Sequence, residues 1–107
     1  MSRYLPDPSV PVAPLGGAVH AALAAAADAP LLALVYPLPV SGEGWHVTVV
    51  ETASADVRFG FPVGEPWAAL AEREFARQGY VSLASVLGGE WETLADGGRC
   101  TRLYRNC

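Results

Sequence analysis

Lysine is missing from this chain: all seven basic residues are arginine, set against eleven acids. With so much alanine, glycine and proline, this fits the codon bias of a high-GC genome better than selection for arginine geometry. The net charge of −4 runs against a general nucleic-acid binder, which presents a basic domain. Charge of either sign is scarce. Charged residues make up 17%, below the usual quarter, and 51% hydrophobic residues describe a globular chain rather than a disordered one. The mean hydropathy of +0.24 points to a sticky face, hence to another protein as partner or to a homo-oligomer.

Chemistry-bearing residues are equally few. There are two histidines and two cysteines. A zinc site takes three or four ligands, and His20, His46 and Cys100 could meet only by tertiary accident, so neither a metal nor a cofactor is expected. Cys100 and Cys107 lie about 23 Å apart along one strand, beyond disulfide reach, and a reduced, cytoplasmic protein is the default. No G-x-S-x-G elbow occurs. The stretch Val63-Gly64-Glu65-Pro66 holds one glycine and an acid where phosphate would be repelled. The pairs Glu90/Glu92 and Glu72/Glu74 suit solvated faces. A Cys100–His46 pair across a sheet is conceivable, but an unactivated strand cysteine is usually a small hydrophobe. The residues lean away from an enzyme.

Uninterrupted apolar length is lacking too. Pro6, Pro8, Pro11 and Pro14 break the N-terminus before any apolar run, so no secretory leader is expected. Ala21 to Val40 has membrane-spanning length, but Asp28, Pro30, Pro37 and Pro39 interrupt it. A buried helix followed by a strand is expected there rather than a membrane span.

What is present is periodic. Residues 1–13 read as an extended, proline-rich, partly polyproline tail, and residues 14–107 as a single α+β domain. Leu15, Val19, Ala22, Leu23 and Ala26 share one face of a helix that starts at Pro14 and ends before Pro30. Leu31 to Tyr36 is a strand, cut short or placed on an edge by Pro37 and Pro39. Ser41-Gly42-Glu43-Gly44 is a turn, and Trp45 to Thr52 the best central strand. Val57, Phe59 and Phe61 alternate along a third strand that stops at Pro62. Trp67, Leu70, Ala71 and Phe75 form the apolar face of a second helix, with Gly79 at its left-handed stop. Tyr80 to Leu87 fits strand or helix. Trp91 to Tyr104 closes the chain as a β-hairpin with two candidate tight turns, Asp96-Gly97 or Gly97-Gly98; the second is preferred because it would pair Trp91 with Tyr104 and set Asp96 opposite Arg99. The expected fold is a small antiparallel sheet of four to five strands, two helices packed on one face, and a C-terminal β-hairpin.

Two surfaces stand out. Arg99, Arg102 and Arg105 fall within seven residues, with Tyr104 among them and Trp91 across the hairpin. Strand alternation points Arg99 and Arg105 one way and Arg102 the other. Arginine and aromatic residues anchor interfaces, so these five are candidate partner-binding residues; edge-strand charges that prevent sheet pairing are the plainer explanation. The second surface is the sheet face carrying His46, Thr48 and Tyr36, candidates to line a small-molecule pocket beneath a helix. The leading function is a non-enzymatic, regulatory protein-interaction module. A small-molecule-binding protein or small enzyme around His46 is the alternative, and nucleic-acid binding through the hairpin arginines a weaker one.

Gly44-Trp45-His46-Val47-Thr48-Val49, Glu72-Arg73, Gly79-Tyr80 and Gly89-Glu90-Trp91-Glu92 together resemble a family of small uncharacterised actinobacterial proteins over about residues 44–95. That family shows a Trp-led strand, a Glu-Arg helix, a Gly-aromatic stop and a Trp-Glu near the C-terminus. The resemblance implies no activity.

Overall fold

The computed structural model describes residues 17–38 and 44–106. The proline-rich tail expected over residues 1–13, the helix start at Pro14 and Leu15, the turn residues 41–43 and Cys107 lie outside them. The described chain runs α1 (Gly17–Ala25), β1 (Leu31–Pro37), β2 (Trp45–Glu51), β3 (Val57–Val63), α2 (Trp67–Arg77), β4 (Tyr80–Ser82), α3 (Leu83–Val86), β5 (Glu92–Thr93) and β6 (Arg99–Arg105). The strands form one antiparallel sheet in the order β3-β2-β1-β6-β4, and β5 also pairs with β6. The α+β class, the antiparallel sheet and the closing hairpin follow the sequence pattern. Six strands form rather than four to five, the surplus being the very short β4 and β5.

The two longer helices do not share a face. Leu31, Ala33 and Val35 of β1 join Val47, Val49 and Leu103 against Ala71 and Phe75 of α2. Leu32 and Leu34 join Val50 and Cys100 against Val19, Leu23 and Ala26 of α1. A strand covered on both faces is apolar at every position rather than at alternate ones, and Leu-Leu-Ala-Leu-Val is such a run. β1 is therefore central. Its pairing with β6 ends at Val35↔Arg99, so Pro37, which has no N–H to donate, lies beyond the stretch where a second partner would need it. β3 is the long edge strand. It passes through Pro62 to Val63 instead of stopping, because an edge strand tolerates the missing donor.

Residues 80–87 are strand and helix in turn. Ser82 ends β4, and its hydroxyl accepts the Ser85 N–H at 3.0 Å, capping α3 as a serine N-cap does. Gly79 has φ +92° beyond the end of α2, the left-handed stop its position suggests.

The hairpin register differs from the expected one. Glu92 faces Cys100 and Thr93 faces Arg99, while Tyr104 pairs with Val81 of β4. The connection is wider than two residues: Leu94 N–H donates to Gly98 C=O and Gly97 N–H to Leu94 C=O. Asp96 accepts from the Tyr36 hydroxyl at 2.7 Å and from Gly98 N–H at 3.0 Å, so its pairing with Arg99 does not form. Trp91 decides the matter. It is buried against Phe75 and Trp67. Burying most of a tryptophan outweighs an exposed cross-strand aromatic pair, which is worth about 1 kcal/mol at most.

Candidate binding cleft

The hairpin arginines do three different things. Arg102 is on the α1 side, where its Nη2 donates to Ala25 C=O at 2.9 Å and its Nη1 lies 3.8 Å from Asp28 Oδ1. Tyr104 O–H donates to Asp28 Oδ2 at 3.0 Å. The last turn of α1 has no basic residue of its own, and Arg102 supplies the cation that a helix C-terminus favours. These two residues clamp α1 to the sheet. Arg105 stands over the Tyr80 ring at 5.9 Å. Arg99 is exposed, and its side chain makes no hydrogen bond or ion pair among the described residues. The split of the arginines between two faces is as strand alternation requires.

His46, Thr48 and Tyr36 do come together. Tyr36 is directly opposite His46 in the β1–β2 ladder, and Thr48 Oγ1 and His46 Nδ1 share a hydrogen bond of 3.3 Å. His46 and Thr48 are buried. The His46 ring lies over Gly60, where a β-carbon would come within 3.0 Å of its Cε1, which accounts for glycine in Arg-Phe-Gly-Phe. The Tyr36 hydroxyl is held by Asp96; burial, reinforced by that carboxylate, raises its pKa. Cys100 shares this face with His46 but stands two strands away, roughly 10 Å of backbone. Burial, with Glu92 nearby, pushes its thiol up to about 11, so a thiolate nucleophile is disfavoured. His20 is exposed on α1, and among the described residues no three His, Cys, Asp or Glu side chains cluster as a metal site. No described helix is long and apolar enough to cross a membrane.

An open concavity among the described residues is on the opposite, α2 side. Trp67 and Ala68 at the start of α2, Gly89-Glu90-Trp91 and Thr93, and Arg99 of β6 line a cleft of about 330 Å³. Its walls grow out of a continuous aromatic row. Phe59 stacks with Phe61, Phe61 meets Phe75 edge-on, Phe75 stacks with Trp91, Trp91 meets Trp67 edge-on at 5.0 Å and 81°, and Trp67 touches Trp45 at 5.6 Å. Trp45 Nε1 donates to Glu65 at 2.5 Å, fixing the outer end of the row. Trp91 is 8% exposed and Trp67 half-buried, so one indole forms the floor and the other a wall. Gly88 and Gly89 have φ of +117° and +94°. Two successive residues in that range are feasible only as glycine, and they turn the chain from α3 into the cleft. Just before them in sequence Val86 and Leu87 are 67% and 72% exposed, an apolar pair on the surface.

Behind the floor sits a polar contact. Ser82 is fully buried and donates to the Glu72 carboxylate. Trp91 Nε1 lies close to the same carboxylate but has no partner in bonding geometry among the described residues. Burial raises the Glu72 pKa, against a smaller lowering by Ser82 and Trp91.

Of the residues singled out by sequence, Arg99 and Trp91 belong to this cleft, and Arg102, Tyr104 and Arg105 do not. Sequence reasoning missed Trp67, taken only as a core residue, and Gly89-Glu90. The available signal was a Pro-Trp helix start and a Gly-Gly-Glu-Trp turn in a chain with only three tryptophans. No family model, no curated protein and no solved structure matches this chain.

Proposed function

We propose that the chain is a non-catalytic, cytoplasmic interaction module that engages another protein through the Trp67–Trp91–Arg99 cleft and the exposed Val86-Leu87 pair. The observation that carries this reading is a solvent-open cleft lined by two tryptophans, with an unpaired arginine side chain among its lining residues and exposed valine and leucine shortly before its Gly89 in sequence. Tryptophan and arginine lead the residues that anchor interfaces, and monomers seldom expose large apolar side chains in groups.

The competing readings have weaker support. His46 and Thr48 are inside the packing rather than at an opening. The three hairpin arginines present no common surface to a phosphate backbone. Strand addition at β3 is opposed by Pro62, by Arg58 paired with Glu51 at 2.9 Å and by the register shift between Val49 and Val50, all devices that blunt an edge.

The test is a pull-down with the wild-type chain, Trp67→Ala and Arg99→Glu, each checked for folding by far-UV circular dichroism. Loss of the same partner from both folded variants is expected. An unchanged partner set in both overturns the reading.

A further inference from the structure

We propose that the protein docked in this cleft is a second copy of the same chain, in a two-fold dimer in which Arg99 of each copy meets Glu90 of the other. The inference rests on the cleft being a docking surface, as argued above, and names the occupant. A two-fold contact uses one patch twice, so residue i of the first copy meets residue j of the second, and j meets i. Such a patch has to be its own complement in charge and in shape.

The charge condition is met. Glu90 and Arg99 are the two ionised side chains lining the cleft. Neither has an ion-pair partner among the described residues, and they do not pair with each other. A matching occupant therefore brings a base to Glu90 and an acid to Arg99. A second copy turned through the two-fold brings both at once. The frame is set in advance as well. Arg99 stands on β6 opposite Thr93, and Glu90 adjoins Trp91, which is buried against Phe75 and Trp67. Groups held in place before contact lose little freedom on binding. Residues 1–56 hold one arginine against five acids, and residues 57–107 six against six. Every residue lining the cleft comes from the balanced half, and charges farther off than about 8 Å are largely screened at physiological salt.

Shape is complementary too. The concavity has an exposed apolar neighbour in Val86 and Leu87. Gly89 N–H donates back to Ala84 C=O, which folds the cleft's Gly89 against the helix that ends in Val86. Leu87 is two residues from Gly89, at most about 8 Å along the chain. In a reciprocal contact the apolar pair of each copy covers the open side of Trp67 in the other. Removing that surface from water is the favourable term, and the two charge pairs fix the register.

The experiment is sedimentation velocity on the full chain from about 1 μM to about 1 mM. A reversible monomer–dimer equilibrium that stops at two copies is expected. Arg99→Glu and Glu90→Arg, each checked for folding by far-UV circular dichroism, should each weaken the dimer by about tenfold or more, because like charges then face each other at both ends of the two-fold. An equimolar mixture of the two variants should dimerise again, since both contacts between unlike copies are attractive. Each reversal shifts the net charge of −4 by two, in opposite directions, so both variants stay acidic and bulk attraction cannot imitate the rescue. A monomer throughout the range, a dimer indifferent to both reversals, or a mixture that stays monomeric overturns the inference. Growth beyond two copies means a head-to-tail contact and overturns it as well. A monomeric wild type whose lysate partner is lost from both Trp67→Ala and Arg99→Glu removes the second copy alone and leaves the interaction module standing.

Discussion

Gly98→Ala is a sharp test of how the hairpin is held. A β-carbon on Gly98 would stand 2.5 Å from Tyr36 Cζ and 3.0 Å from Cδ1, far inside contact distance. The Tyr36 ring has to move, and its hydroxyl then leaves Asp96, which also anchors Gly98 N–H. A hydrogen bond to a charged acceptor is worth about 1.5–3 kcal/mol, and overpacking costs about 1–3 kcal/mol. Because the two share one displacement, about 2–3 kcal/mol is expected, or roughly 10–20 °C in Tm for a domain of this size. Urea denaturation should show a lower midpoint at unchanged m-value. The φ of Gly98 is outside the left-handed range, so alanine is otherwise acceptable there. In a Tyr36→Ala background the same substitution should cost less than about 0.5 kcal/mol, or gain slightly through the unfolded chain. A Gly98→Ala protein as stable as wild type, or an equal cost in both backgrounds, would refute the reasoning.

Two further predictions concern titratable groups. Glu72 ordinarily titrates near 4.5, and burial beneath Trp91 raises it. A raised carboxyl favours the fold while protonated in both states, and that contribution is lost as pH rises through the folded value. The stability of Glu72→Gln relative to wild type, measured in urea, should therefore climb as pH rises above 4.5 and level off once the folded carboxyl is ionised; a difference that stays flat or falls contradicts the assignment. Cys100, buried with its thiol near 11, is a thiolate in only about one molecule in a thousand at pH 8. In a Cys107→Ser chain it should react with a chromogenic disulfide reagent at least a hundredfold more slowly than after unfolding, and prompt reaction would reopen a Cys–His chemistry on the His46 face.

Local periodicity made the elements legible. The alternation in Trp45 to Thr52, the Trp67–Ala71–Phe75 stripe and Gly79 each specify local structure with little help from the rest of the chain. The placement of α1 was harder to see because α1 is alanine-rich and its own amphipathic signal weak. The unbroken Leu31–Val35 run was the better guide, since a strand apolar at every position needs cover on both faces. Ser82 illustrates a signal that can be read either way. Four apolar residues beyond it look like more strand, until the serine is recognised as a cap whose hydroxyl takes the N–H three residues on.

The site was legible only in part, for a reason that concerns scale. Register in a hairpin is a competition between turn geometry and whatever the strands bury, and here a single residue wins it. Gly97-Gly98 favours a two-residue turn by a modest margin, while Trp91 gains the contacts of Phe75 and Trp67 by sliding out of line with Tyr104. That slide also frees Arg99 from Asp96, sets it opposite Thr93, and opens the space beside Trp67. The packing demand that misplaced the hairpin on paper is thus the one that builds the cleft. A segment 24 residues upstream in sequence, the first turn of α2, supplies the other wall. No pattern within the hairpin encodes that neighbour.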